Sequence, residues 1–217
     1  MKNDRELQHD VIDELEWQPS VDASKIGVTA DHGVVTLVGE VNTYSEKFEA
    51  EKAAKRVAGV QALANDLEVK VDDPRPPHDA DIAQRALSAI DWNVAIPKGR
   101  VKVMVSSGWV TLEGDVEWMY QKRAAEDACR GLNGVRGITN NIAVRPRVEA
   151  GEVKHKIESA LRRNAELDAQ KITVETSAGN VILRGNVRSW AEHEDAVDAA
   201  WSAPGVTKVE DQLAIRP

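Results

Sequence analysis

The stretch GVVTLVGEV at residues 33–41 decides the fold, because it returns as GWVTLEGDV at 108–116 and as GNVILRGNV at 179–187. Each copy opens on a glycine (Gly33, Gly108, Gly179) and carries a second glycine six residues later (Gly39, Gly114, Gly185). Between them, apolar residues fall at alternate positions: Val35 and Leu37, Val110 and Leu112, Val181 and Leu183. A period of two places each pair on one face of a strand. Upstream of each opening glycine lies another alternating run, Ile26 and Val28, then Val101, Val103 and Val105, then Ile172 and Val174. The residues between the runs end in a glycine that can take positive φ, so each copy predicts a β-hairpin.

The repetition extends past the hairpin. Twenty-six residues after each opening glycine stands a Gly-Val pair: Gly59-Val60, Gly134-Val135 and Gly205-Val206. A spacing held three times marks an internal repeat. The intervening stretches, SEKFEAEKAAKRVAG, YQKRAAEDACRGLNG and AEHEDAVDAAWSAPG, are Ala-rich and end in the glycine that commonly stops a helix. ALANDLEVKV, GITNNIAVRP and KVEDQLAIRP follow as strands. Before each hairpin, apolar residues recur at helical spacing: Leu7, Val11, Leu15; Ile82, Ala86, Ile90; Val153, Ile157, Leu161. The predicted class is α+β, three tandem αββαβ repeats, each a small three-stranded mixed sheet with two helices packed on it. Predicted domains cover 1–73, 79–146 and 147–217, with a Pro-rich linker at 74–78.

These features resemble the BON domain family. The resemblance rests on the paired glycines, the later Gly-Val, and a closing N-x-L-x-V strand seen as Asn65, Leu67, Val69 and as Asn140, Ile142, Val144; the third copy has Asp211 in place of the Asn. It implies the α+β fold and association with phospholipid surfaces or envelope components in osmotic or general stress response. A fold alone does not fix an activity.

Each repeat is near the lower size at which a domain buries an adequate core alone, so contacts between repeats are expected to help. The single cysteine, Cys129, occupies the position of Ala54 and Ala200, which predicts a buried packing residue. The N-terminal MKNDRELQHDVIDELEW is charged and amphipathic. Neither a signal peptide nor a membrane span is read from it, so a cytoplasmic protein, peripheral at the inner membrane, is expected. DDPRPPHD, with three prolines, predicts a semi-stiff spacer, whereas RPRVEAGE joins the second and third copies.

Charge distinguishes the copies. Basic against acidic residues number 8 and 16 in 1–73, 11 and 8 in 74–148, and 9 and 12 in 149–217, within a chain of net charge −8. Lys98, Arg100 and Lys102 alternate with Val101 and Val103 and are expected on the outward face of a strand. Trp109, opposite in phase to Val110, is expected beside them, with Trp118 and Tyr120 between the hairpin and the second helix. Aromatic rings beside cations suit a membrane interface. Trp17 and Trp92 share one repeat position and are expected to lid the core.

No HExxH, Walker loop, dinucleotide fingerprint or G-x-S-x-G elbow occurs, and the five histidines fall in unrelated contexts. Glu192-His193-Glu194-Asp195 groups metal-ligand types but reads as a solvated helix face. A non-catalytic protein without cofactor or metal is expected. Its partner is an anionic phospholipid surface or a protein; two acidic copies of three speak against nucleic acid. The alternatives are a cytoplasmic ligand- or potassium-responsive stress protein, a property the resemblance brings, and a chaperone-like protein-binding array. The oligomeric state is left open.

Overall fold

A computed structural model describes residues 3–71, 75–146, 153–164 and 171–216. Each repeat opens with a helix: α1 (Asp4–Trp17), α3 (Asp79–Trp92) and α5 (Val153–Arg163). Hairpins follow as β1 (Ile26–Asp31) with β2 (Val34–Val41), β4 (Val101–Ser106) with β5 (Trp109–Val116), and β7 (Ile172–Ser177) with β8 (Asn180–Val187). Second helices α2 (Tyr44–Arg56), α4 (Met119–Arg130) and α6 (Trp190–Trp201) lead to closing strands β3 (Ala62–Val69), β6 (Gly137–Val144) and β9 (Lys208–Ile215). In each sheet the second strand is central, antiparallel to the first and parallel to the third. The predicted mixed sheets and αββαβ order are therefore present three times. Residues 72–74, which end the domain expected at 1–73 and begin the linker expected at 74–78, and residues 147–152 lie outside the described residues.

Local chemistry accounts for the elements. The hairpin turns His32-Gly33, Ser107-Gly108 and Ala178-Gly179 take positive φ at both positions, as a type I′ connection requires. The second glycine answers a different demand. A Cβ on Gly39, Gly114 or Gly185 would collide with the carbonyl oxygen of Lys25, Arg100 or Lys171, just before the partner strand. Asn3 starts α1 with a reciprocal capping box, accepting from the Glu6 amide at 2.9 Å while its own amide donates to the Glu6 carboxylate at 3.1 Å. The Ala-rich helices stop before their glycines: α2 ends at Arg56, and Gly59 at φ +107° turns the chain toward β3.

Each repeat has its own core. In the first, Leu7, Val11 and Leu15 face Val35, Leu37 and Ala50; corresponding sets form the second and third cores. Cys129 is fully buried in the second, and burial pushes its thiol up to about 11. Trp17 and Trp92 do not lid these cores: they are 82% and 86% exposed. Each lies two residues beyond the last buried helix position, about 200° around the helix from it, and so faces away. Val21 and Ile96, which occupy one repeat position after those helices, pack against the cores instead. Among the described residues, no helix is long and apolar enough to cross a membrane.

The three units are not beads on a string. Helices α2, α4 and α6 meet, and their contacts run in one rotational sense. Arg130 of the second repeat stacks on Phe48 of the first, 3.4 Å from the ring centroid. Lys55 of the first lies 5.1 Å over the Trp190 ring of the third. Asp198 of the third pairs with Arg123 of the second. Tyr44 and Trp190, which share a repeat position, each pack against a neighbour's core, Tyr44 on the second and Trp190 on the first. Contacts that run in one sense and return to their origin close a ring.

Candidate functional site

The residues singled out in the middle repeat divide between two surfaces. Asp79, at the start of α3, fixes the hairpin end: its carboxylate accepts from the amides of Ser107 at 2.8 Å and Gly108 at 2.9 Å. The next residue, Trp109, lies on the sheet face away from the helices and is 50% exposed. Its ring lies across Gly137, the directly paired residue of β6, closely enough that a Cβ there would collide with it. Its indole N–H donates to Thr139 Oγ1 at 2.8 Å. A large ring covering a strand glycine is held flat against the sheet. Met104, 60% exposed, lies on the same face.

The cations differ from the expected row. β4 begins at Val101, so Lys98 and Arg100 precede the strand and only Lys102 stands on it. Gly99, at φ +71°, breaks the alternation between them. The Arg100 guanidinium is 2.9 Å from Asp115, and Lys102 is paired across the ladder with Glu113. The face is therefore aromatic with balanced charge rather than a plain basic strip. Trp118 and Tyr120 belong to the other surface. Trp118 precedes α4 at the cap position held by Thr43 and Ser189 in the other repeats and is half-buried; Tyr120, 58% exposed, is in the first turn of α4. The sheet separates both from Trp109.

The helix junction was not anticipated from the sequence. It encloses a cleft of about 440 Å³ lined by Phe48, Glu51, Lys55, Arg123, Arg130 and Asp198, among others. Burial would push the Glu51 carboxyl up, but bonds from Lys55 at 2.7 Å and Asn65 at 3.0 Å outweigh it and hold the group below its ordinary value. The signal in the sequence is faint: one repeat position reads Lys55, Arg130 and Trp201, and another Phe48, Arg123 and Glu194, substitutions that look like free surface variation.

The third repeat rewires the equivalent network. In the first two, Asn65 and Asn140 bond Glu51 and Glu126. Val197 replaces that Glu, His193 replaces Lys47 and Lys122, and Asp211 replaces the Asn. The Asp211 carboxylate then meets His193 Nε2 at 2.5 Å. Glu192 is buried, its carboxylate against the Arg188 amide. Of the stretch 192–195, Glu192 is buried and His193 and Asp195 are half-buried, so only Glu194 is the solvated face expected of it. A grouping of ligand types among the described residues, Asp4, Asp31 and His32, sits at the β1–β2 turn, where the Asp31 carboxylate bonded to His32 raises the imidazole above its ordinary value.

Comparison with known proteins agrees with this geometry. The BON domain profile matches residues 3–71, 78–146 and 150–217. Osmotically-inducible protein Y of Escherichia coli (strain K12) is 30% identical over 130 residues, covering 57% of this chain and 63% of that protein. The 21 kDa hemolysin of Actinobacillus pleuropneumoniae is 30% identical over 118 residues, covering 52% and 60%. The chain thus spans less than two thirds of the length of either relative. A solved structure of CdsD, a structural protein of the Type III secretion system of Chlamydia trachomatis, aligns over 98% of this chain and 93% of its own at 15% identity. Its TM-score of 0.27 carries no argument.

Proposed function

The chain belongs to the BON domain family in all three repeats, and from that premise we propose a non-catalytic binding protein of osmotic or general stress response that contacts anionic phospholipid surfaces through its middle repeat. The stress assignment leans on the name of the osmotically inducible relative. The observation that carries the membrane contact is Trp109: a half-exposed indole held flat on an open sheet face, with Met104 and Lys102 exposed on the same face. A ring so placed offers apolar area to the acyl boundary while cations meet lipid headgroups. Exposed Lys or Arg near such a surface contributes about 1 kcal/mol each. Since Arg100 is already paired with Asp115, the electrostatic share is small and the ring carries the contact.

Co-sedimentation with vesicles of neutral or anionic lipid, at low and high salt, tests this. Binding is expected with anionic vesicles at low salt, weaker at high salt, and reduced at least tenfold by Trp109→Ala combined with Lys102→Glu. Protein that stays in the supernatant with every vesicle removes the membrane reading and leaves a protein-binding array as the better account.

A further inference from the structure

The outward faces of the three first helices carry opposite chemistry at equivalent positions. On α1, Glu6, His9, Asp13, Glu16 and Trp17 are exposed, on the side opposite Leu7, Val11 and Leu15. On α3 the last pair recurs as Asp91 and Trp92, both exposed. On α5 the same two positions hold Arg162 and Arg163, also exposed. Neither arginine has an ion-pair partner among the described residues. Two repeats therefore present a carboxylate next to a bare indole, and the third presents two adjacent guanidinium groups.

We infer that a second copy of this chain covers these faces, with Arg162 and Arg163 of one copy seated on Glu16-Trp17 or Asp91-Trp92 of the other. The chemistry is complementary in both components, since a guanidinium pairs with a carboxylate through its N–H fork and stacks on an indole face. No ion pair joins these patches among the described residues, and each helix packs within its own repeat: α1 on β1 and α2, α3 on β4 and α4, and α5 on β7 and α6. Each first helix is thus held by its own repeat with its outer stripe turned to solvent. Both indoles, at one repeated position, are more than 80% exposed and so open to a ring-stacking partner. The opposite sign at that position on the third repeat identifies the partner as the chain itself. Vesicle binding through Trp109 is not required, because that ring lies on the sheet face, away from the helices.

Sedimentation equilibrium over a range of concentrations reads the association directly. The intact protein is expected to pass from monomer to dimer or larger species as concentration rises, with a dissociation constant that weakens in high salt. Glu16→Arg/Asp91→Arg and Arg162→Glu/Arg163→Glu are each expected to weaken association at least tenfold, since they set like charges together. An equimolar mixture of the two variants is expected to associate again, because the reversed patches complement one another. All four positions are exposed, and far-UV circular dichroism with the thiol of Cys129 still unreactive confirms folding of each variant. A wild-type protein monomeric at every concentration overturns the inference, as does a mixture that stays monomeric while the wild type associates. Monomeric protein whose tryptophan emission shifts on adding vesicles, a shift lost in Trp17→Ala/Trp92→Ala, also overturns it and assigns the face to a bilayer.

Discussion

Gly114 shows how a single position of the repeat is constrained. Its φ of +135° is a conformation that L side chains rarely adopt, and an added Cβ would strike the Arg100 carbonyl oxygen. Both penalties act together in Gly114→Ala, which is expected to destabilise the second repeat by at least about 3 kcal/mol in a urea titration. Gly99→Ala is the matched control: φ is +71°, but nothing lies within 4 Å of the added Cβ, so only about 1 kcal/mol is expected. Equal costs at the two sites would show that the carbonyl contact is unimportant. The glycines at 39, 114 and 185 are legible in the sequence as a repeated residue. Their reason is not, because the carbonyl they avoid belongs to the chain fourteen residues earlier.

Elements are tied down by a buried side chain in the first turn of each second helix: Glu46, Gln121 and Glu192. The spacings Thr43 to Glu46 and Ser189 to Glu192 are visible as helix-start chemistry, and the Thr43 and Ser189 hydroxyls do accept from the amides three residues on, at 3.1 and 3.2 Å. The Glu46 carboxylate, however, reaches beyond its own helix. One oxygen accepts from the Asn42 amide at 2.8 Å and the other from the Asp22 amide at 2.9 Å, pinning the segment that leads into β1. Glu46→Ala leaves both amides without that acceptor and is expected to cost about 2–4 kcal/mol in thermal or chemical denaturation. Glu46→Gln keeps one acceptor oxygen but turns an NH2 toward the other amide, so it is expected to cost about 1–2 kcal/mol, less than the Ala variant; Gln121 in the second repeat holds only the Glu117 and Trp118 amides, at 3.0 and 3.1 Å, both through its one oxygen. If the Gln variant is as damaged as the Ala variant, charge rather than hydrogen bonding holds the joint. The two exposed tryptophans belong to the same scale. A helical period says which residues share a stripe, and Trp17 falls outside the stripe of Leu7, Val11 and Leu15; its repetition at Trp92 made it look like core.

At the scale of the whole molecule, closure couples the three cores. Trp190 grips the first core from the third repeat, and Arg123 of the second repeat pairs with Asp198 of the third. Cys129 reports on the second core: its thiol pKa, raised from an ordinary 9.0 to about 11 by burial, leaves it protonated and shielded near neutral pH. The shift also favours the fold below pH 9, a contribution lost as pH rises toward 11. Trp190→Ala, which removes a contact between the third and first repeats and none in the core that holds Cys129, is expected to speed Cys129 labelling at pH 8 at least tenfold if the ring opens as one unit. An unchanged labelling rate would mean that the repeats open independently. The sequence by itself determined the αββαβ unit, its three copies, the hairpin turns, and most of the residues in each core. These are set by contacts close along the chain and by periodicities of two and 3.6, which are written locally. Only the tertiary structure decided that the repeats close on one another, that Arg100 pairs with Asp115, and that Trp17 and Trp92 face away from their own cores. Those outcomes depend on which surfaces meet, either across a bent chain or between repeats more than seventy residues apart, and neither alternation nor spacing carries that information.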